Sequence, residues 1–242
     1  MNGFSWHTAS KKCDLLPKTV HIWCMSLTAF DSDIQNGLNL LDQQEQQRAY
    51  SFRFKHHFRQ FVIAHSKLRR ILSLYTCQPS HSLRFAFQKQ GKPFLKDFSR
   101  LQFNLSHSNE LAVCGLTLTM PLGIDIEFHK PIENYLDIAK HYFSKDEISE
   151  LMCLPQHLHS QGFYNAWTRK ESFIKAVGDG LYYPLDKFSV SLHPSMPAKV
   201  LSNDISPFEV RDWELHEFKP AVDYTAALAV QQRDNQYCYY FL

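Results

Sequence analysis

From Phe58 to Tyr75 the apolar residues Phe58, Phe61, Val62, Leu68, Ile71, Leu72 and Tyr75 recur at helical spacing, the stripe of an amphipathic helix. A second long helix is predicted from about Ser160 to Val177, closed by Gly178, since glycine accepts the left-handed turn that ends helices. Asp42 is placed to N-cap a further helical region, and Ser144-Lys-Asp-Glu147 matches a capping box ahead of ISELMCL. Stretches of β-branched and aromatic residues predict strands at VHIWCMSL (20–27), LRFAF (83–87), LQFNL (101–105) and LAVCGLTL (111–118), then at about 187–192, 207–215, 224–230 and 236–241. Gly-Lys-Pro at 91–93 marks a loop between LRFAF and LQFNL. Residues 1–120 and 121–242 each combine helix with several strands, which predicts an α+β fold in two halves. No residue-level repeat and no low-complexity linker separates them.

Composition narrows the class. The chain has 242 residues, 44% hydrophobic and 14% aromatic, enough to bury a core without disulfides or metals as staples. The N-terminal stretch MNGFSWHTASKKCDLL lacks the apolar core of a secretory signal. The uncharged run from Leu111 to Ile124 is interrupted and too short for a bilayer, so neither membrane insertion nor export is expected. Six scattered cysteines with no CxxC pair fit reduced thiols of the cytoplasm. His157-Leu-His159 has no acid or cysteine cluster beside it and reads as a surface loop. The net charge of +2 conceals an asymmetry: residues 1–120 carry 15 Lys and Arg against 7 Asp and Glu, whereas residues 121–242 carry 11 against 17. One half suits an anionic ligand and the other a cation, although uneven surface charge would look the same.

Candidate chemistry begins at Pro121-Leu-Gly-Ile-Asp-Ile-Glu127. On a strand Asp125 and Glu127 share a face, roughly 6.6 Å apart, while Ile124 and Ile126 turn to the core. Two acids showing to solvent would be ordinary. In a cleft their repulsion would raise one pKa unless a cation lay between them. On the second long helix Trp167, Glu171 and Lys175 follow at i, i+4 and i+8, so all three share one face, with Trp167 expected to pack on the sheet. Glu171 and Lys175 alone would make a common surface pair; together with the strand acids they can build a magnesium site completed by a substrate phosphate. From Arg48 to Arg70 seven basic residues and three histidines stand without an acid, either a solvated helix face, an anion site or a nucleic-acid patch. Ser106 and His107 are sequence neighbours, so they do not form a nucleophile–base dyad, and no GxSxG elbow is present; phosphate binding suits them better.

The order QGKPFL, FNLSHS, PLGIDIE, FSKDEISEL and FYNAWTRKESFIKAVGDGL resembles the 4′-phosphopantetheinyl transferases of the surfactin-synthetase-activating type, over about residues 45–192. The resemblance implies two similar α+β halves related by a pseudo-twofold axis, with the active site between them. Residues 1–120 would anchor coenzyme A, and residues 121–242 would hold the metal and dock the carrier. It implies transfer of the 4′-phosphopantetheine arm of coenzyme A to a serine of an apo acyl or peptidyl carrier protein, releasing adenosine 3′,5′-bisphosphate, as in polyketide or non-ribosomal peptide synthesis. Asp125, Glu127 and Glu171 would bind Mg²⁺; Lys92, Pro93, Ser106, His107 and Lys175 would contact coenzyme A. An arginine that holds the 3′-phosphate in relatives aligns at or beside Gln60, where Arg53 or Arg59 would substitute. Glu171 would be the general base and Lys175 would stabilise the leaving phosphate. Leu181 and Tyr182, within GDGLYYPLDKF, are expected to help dock the carrier. A monomer that binds neither nucleic acid nor membrane is expected. Two other readings remain: a magnesium-dependent hydrolase of nucleotide diphosphates and a basic nucleic-acid-binding module.

Overall fold

A computed structural model of the chain describes residues 6–8 and 13–242, with only the backbone of residue 181 and of residues 207–209. Strands β1 (Trp6–Thr8) and β2 (Thr19–Ser26) precede three helices, α1 (Asp31–Leu38), α2 (Gln43–Tyr50) and the 22-residue α3 (Lys55–Thr76). A small hairpin follows, β3 (Phe85–Phe87) with β4 (Pro93–Leu95), and then the pair β5 (Leu101–Ser108) and β6 (Leu111–Leu118). The order then repeats. Strand β7 (Leu122–Phe128) leads to α4 (Tyr135–Tyr142), α5 (Lys145–Cys153) and the 19-residue α6 (His159–Val177). A second small hairpin, β8 (Phe188–Val190) with β9 (Val200–Asn203), leads to β10 (Glu214–Phe218), β11 (Tyr224–Val230) and finally β12 (Gln236–Phe241).

Strand adjacency repeats as well: β2-β6-β5 in one sheet and β7-β11-β10 in the other, each with its last strand in the middle. Strand β12 does not stay with the residues after 120. It lies parallel to β2 and carries β1 on its far side, completing a five-stranded sheet.

Alternation along the strands layers the molecule. On β2, Trp23 and Met25 join Phe61, Val62, Leu68, Ile71 and Leu72 of α3 in one core. Val20, Ile22 and Cys24 join Ile124 and Ile126 of β7 and Ala226 and Leu228 of β11 in a second. A third core lies between α6 and its sheet, with Phe173, Ile174 and Ala229 among its residues. The layers therefore run helix, sheet, sheet, helix. Gly123 brings α6 onto β7: a Cβ there would lie 2.2 Å from the Ser172 carbonyl oxygen and 2.3 Å from the Ala176 nitrogen.

The caps predicted at Asp42 and Ser144 are present, each paired reciprocally with the glutamate three residues on. Glu147 also accepts from Val190 N at 2.7 Å and meets Lys170 Nζ at 2.8 Å in a fully buried ion pair. Lys170 donates onward to the Leu185 and Phe188 carbonyls, fastening the segment after α6 to that helix. The strand expected over about 207–215 starts late, near the end of that range. Residues Pro207–Asp212 form a 3-10 helix and the strand starts at Glu214, because proline fits the first turn of a helix and has no N–H for a sheet ladder. Short elements, namely α1, α4 and β9, span too few residues to announce themselves by periodicity.

Gly123→Ala is expected to lower the free energy of unfolding by about 3 kcal/mol or more, since α6 must move off the sheet; urea unfolding measures it. Burial also holds His21 and His216 down to about 4, below the ordinary value of about 6.5. The unfolded chain therefore takes up protons first, and stability present above pH 6.5 is lost as the pH falls toward about 4. In the His21→Gln/His216→Gln chain the decline over this window is expected to be shallower; an unchanged slope would exclude the two imidazoles as its cause.

Candidate active site

The two sheets meet where the edge strand β5 lies beside the edge strand β7. Alternate β5 residues, Asn104, Ser106 and Ser108, reach across. Asn104 Oδ1 accepts from Ile124 N at 2.8 Å, and Ser108 Oγ accepts from Phe128 N at 3.1 Å. Ser106 Oγ donates to Asp125 Oδ1 at 2.9 Å, and Ser108 Oγ donates to Glu127 Oε2 at 2.9 Å. Side chains thus satisfy an edge that backbone would satisfy inside a sheet.

The pair read as a shared face of one strand is therefore real, but Asp125 is buried, only 4% exposed. The opposite face of the site comes from α6. Lys175 Nζ donates to Asp125 Oδ1 at 2.5 Å and to Ser106 Oγ at 3.1 Å. Glu171, one turn earlier, lies within electrostatic reach of Lys175 and Asp125. Trp167, expected on the sheet, makes its ring contacts on the helical side. It stacks on Phe163 and meets Tyr142 of α4 edge-on, since a ring one turn further from the sheet contact at Gly123 finds α4 as its neighbour.

The electrostatics call for a cation. Burial, reinforced by the Asp125 charge, pushes Glu127 up to about 7. Burial also raises Glu171, against the pull of Lys175. Lys175 itself is lowered by burial but raised more by Asp125, Glu171 and Glu127 together, so it keeps its proton. Three carboxylates face one ammonium, and Asp125 Oδ2 is buried with no hydrogen-bond partner. An oxygen set of this kind, with a buried oxygen left over, fits a hard divalent cation. Among the described residues no three acidic, histidine or cysteine side chains already stand gathered around one point. Ser106 and Lys175 engage Asp125, and Ser108 engages Glu127.

Cavities open on both sides of this centre. One, of about 260 Å³, is lined by Asn104, Pro93, Gly91, Arg48, His65 and Phe87. The other, of about 520 Å³, is lined by Ser108, Glu127, Ile132, Phe163, Tyr164 and Trp167. Asn104 and Ser108 flank Ser106 on the same strand face, so the acid centre lies between the two hollows. Arg48 and His65 were not singled out individually by sequence reasoning. Arg48 stands 5.6 Å from the Phe61 ring centre, and His65 stacks on that ring at 3.9 Å; only the unbroken basic run around them gave a signal. His107 lies close enough to His57, His65 and Lys175 that burial and their charge lower its pKa.

Other expected residues lie differently. Lys92 donates to the carbonyls of Leu122 at 2.8 Å, Lys175 at 2.7 Å and Ala176 at 3.2 Å, capping the end of α6 and tying it to β7; burial lowers its pKa to about 8. Arg59 pairs with Asp31 and the Ala29 carbonyl, and Arg53 lies over Phe54 in an exposed loop. Gln60 donates to the Asn109 carbonyl at the β5–β6 turn. Part of the basic run is spent within the fold, while Arg48, Arg53, Lys55 and Arg70 are exposed. Arg69 is buried against Glu45 and Asp42, and Lys67 reaches the Leu242 carbonyl. Tyr182 is exposed, while the Leu181 side chain lies outside the described residues.

Comparison with known proteins gives a consistent result. Residues 121–229 match a family described as the 4′-phosphopantetheinyl transferase superfamily, and residues 27–117 match one described as 4′-phosphopantetheinyl transferase, N-terminal. The chain is 34% identical over 229 residues to the 4′-phosphopantetheinyl transferase HetI of Nostoc sp., covering 93% of each. It is 34% identical over 179 residues to the 4′-phosphopantetheinyl transferase Sfp of Bacillus subtilis, covering 74% of this chain and 79% of the relative. With the L-aminoadipate-semialdehyde dehydrogenase-phosphopantetheinyl transferase of Mus musculus the identity is 25% over 221 residues, covering 82% and 70%.

Lys92→Met removes the ammonium that joins three carbonyls, and is expected to cost about 2 kcal/mol of stability. Urea unfolding of the two chains checks this; equal stability would show that Lys92 does not hold α6 to β7.

Proposed function

The chain belongs to the 4′-phosphopantetheinyl transferase superfamily, and from that premise we propose that it transfers the phosphopantetheine arm of coenzyme A to a serine hydroxyl of an apo acyl or peptidyl carrier protein. The serine oxygen forms a bond to the phosphorus of the pantetheine phosphate. The bond from that phosphorus to the bridging oxygen breaks, and adenosine 3′,5′-bisphosphate leaves with the bridging electrons. The observation that carries this reading is the acid–lysine centre between two hollows on one strand face. An extended molecule with a nucleotide at one end, a diphosphate in the middle and a thiol arm at the other fits that order.

The nucleotide end is assigned to the hollow with Pro93, Arg48 and His65, where the guanidinium and imidazole suit a phosphate and the phenyl rings suit a base. The thiol arm is assigned to the more apolar hollow beside Glu127 and Trp167. Ser106, His107 and Lys175 are proposed to receive the diphosphate, with Lys175 stabilising the negative charge of the leaving group. Lys92 supports this centre through α6. Arg53 and Arg59 are the less suitable 3′-phosphate ligands, since Arg59 is held by Asp31 and Arg53 lies on an exposed loop; Arg48 takes their place in the proposal. Asp125, Glu127 and Glu171 would hold Mg²⁺, which when bound polarises the phosphoryl oxygens and neutralises their charge.

Glu171 is proposed as the general base. It stands one turn before Lys175 on the helix face that carries the site, placed to take the proton of the serine hydroxyl directly or through a water. The exposed segment at 178–188, with Tyr182 standing out, is proposed to contact the carrier. One chain supplies both sides of the seam, so a monomer suffices. Six scattered cysteines with no CxxC pair suit the cytoplasm; no described helix is long and apolar enough to cross a membrane.

Coenzyme A, Mg²⁺ and a panel of apo carriers, followed by mass spectrometry, test the reading: one added phosphopantetheine is expected. Phosphate released from coenzyme A without transfer would replace it with a diphosphate hydrolase. Glu171→Gln is expected to keep the fold by circular dichroism and to lose turnover by about a hundredfold or more; full activity would exclude the base assignment.

A further inference from the structure

Asp125 presents its two oxygens unequally. Oδ1 accepts from both Ser106 and Lys175, at 2.9 Å and 2.5 Å, while the buried Oδ2 accepts from nothing. The ammonium at Oδ1 is itself steadied by Ser106 Oγ at 3.1 Å. A divalent cation approaching Asp125 thus meets a positive charge already bonded to the same carboxylate. The second lysine near this centre cannot relieve the conflict, because Lys92 has its three donors on three carbonyls. Lys175 can. Its ammonium sits on a flexible four-carbon stem, part-exposed at 28% of its side-chain surface, and a diphosphate offers it a more highly charged partner than one carboxylate.

Resting on the metal-and-diphosphate reading above, we infer that Lys175 is a built-in counter-ion that withholds Asp125 from a divalent cation until a diphosphate draws the ammonium away. Cation and coenzyme A binding are then coupled through one side chain. Without a diphosphate the ammonium and the cation compete for Asp125. With one present, the ammonium neutralises phosphate while the cation takes the carboxylates. The coupling is reciprocal: coenzyme A tightens cation binding by the factor by which the cation tightens coenzyme A. The same contacts account for carboxylates that are near one another yet not gathered about a point. The lysine and two serines hold them in a different arrangement.

Manganese(II), titrated by water-proton relaxation into the full chain without any carrier, reads the coupling directly. Wild type, Lys175→Met and Lys175→Arg are compared with and without coenzyme A. Without coenzyme A, Lys175→Met is expected to bind Mn²⁺ about tenfold more tightly than wild type, the order that one adjacent unit charge imposes on a carboxylate. The enhancement by coenzyme A is expected to shrink in that variant and to persist in Lys175→Arg. Lys175→Gln, which keeps a donor for Asp125 but no charge, is expected to follow Lys175→Met and serves if the latter does not fold. Uncharged variants that bind Mn²⁺ no more tightly than wild type overturn the proposal. Failure of the underlying reading looks different: Mn²⁺ affinity unchanged in Glu127→Gln would remove the metal site itself, whatever the lysine variants do.

Discussion

The seam between β5 and β7 is the constraint from which the site follows. A strand edge left without a partner must have its N–H groups satisfied by water or by something that mimics backbone. Here two side chains on one strand face do so, Asn104 for Ile124 N and Ser108 for Phe128 N, while Ser106 between them holds Asp125. Because side chains rather than carbonyls make the contact, the sheets meet without merging. The space that remains carries Asp125 and Glu127 at its floor and a hollow at either end. An apolar pairing would have closed the gap, and a continuous ladder would have left no place for two carboxylates.

Placing acids there is electrostatically costly, and two lysines meet the cost in different ways. Lys92 is a fixed strut, its charge spent on the carbonyls at the end of α6 and on the start of β7. Lys175 is a counter-ion bonded to a carboxylate and a hydroxyl, a partnership that another anion can replace. The distinction rests on valence as much as on position. An ammonium with three carbonyl acceptors has no unused donor, whereas one shared between a carboxylate and a serine has alternatives.

Rigidity behind the site comes from charge buried elsewhere. Glu147 serves as helix cap, as acceptor for Val190 and as partner of Lys170, joining α5, α6 and the segment after α6. Arg69, with Glu45 and Asp42, does the same around α2 and α3 and places Glu45 against His65 at the rim of the smaller hollow. Breaking such a pair leaves an uncompensated charge in the interior, so these residues act on the site through the position of their helices. With Gly123 admitting α6 to within backbone contact of β7, they hold Glu171 and Lys175 over the strand acids.

Long helices, most strands, the caps at Asp42 and Ser144 and the facing of Asp125 and Glu127 were legible in the chain itself, because periodicity, capping and strand alternation are local properties. So was the family, since GIDIE and WTRKESFIK stand in order with SHS upstream. Tertiary structure alone decided which charges are free to act. Spacing cannot distinguish Lys92, capping a helix 83 residues away, from Lys175, bonded to Asp125. Nor can it show that Arg59 and Arg69 are consumed by acids while Arg48 lines a cavity. It was equally silent on the return of β12 to the first sheet and on Trp167 turning to α4. Residue type and local pattern determine what a side chain is able to do; its nearest partner, brought by the fold from elsewhere in the chain, determines what it does.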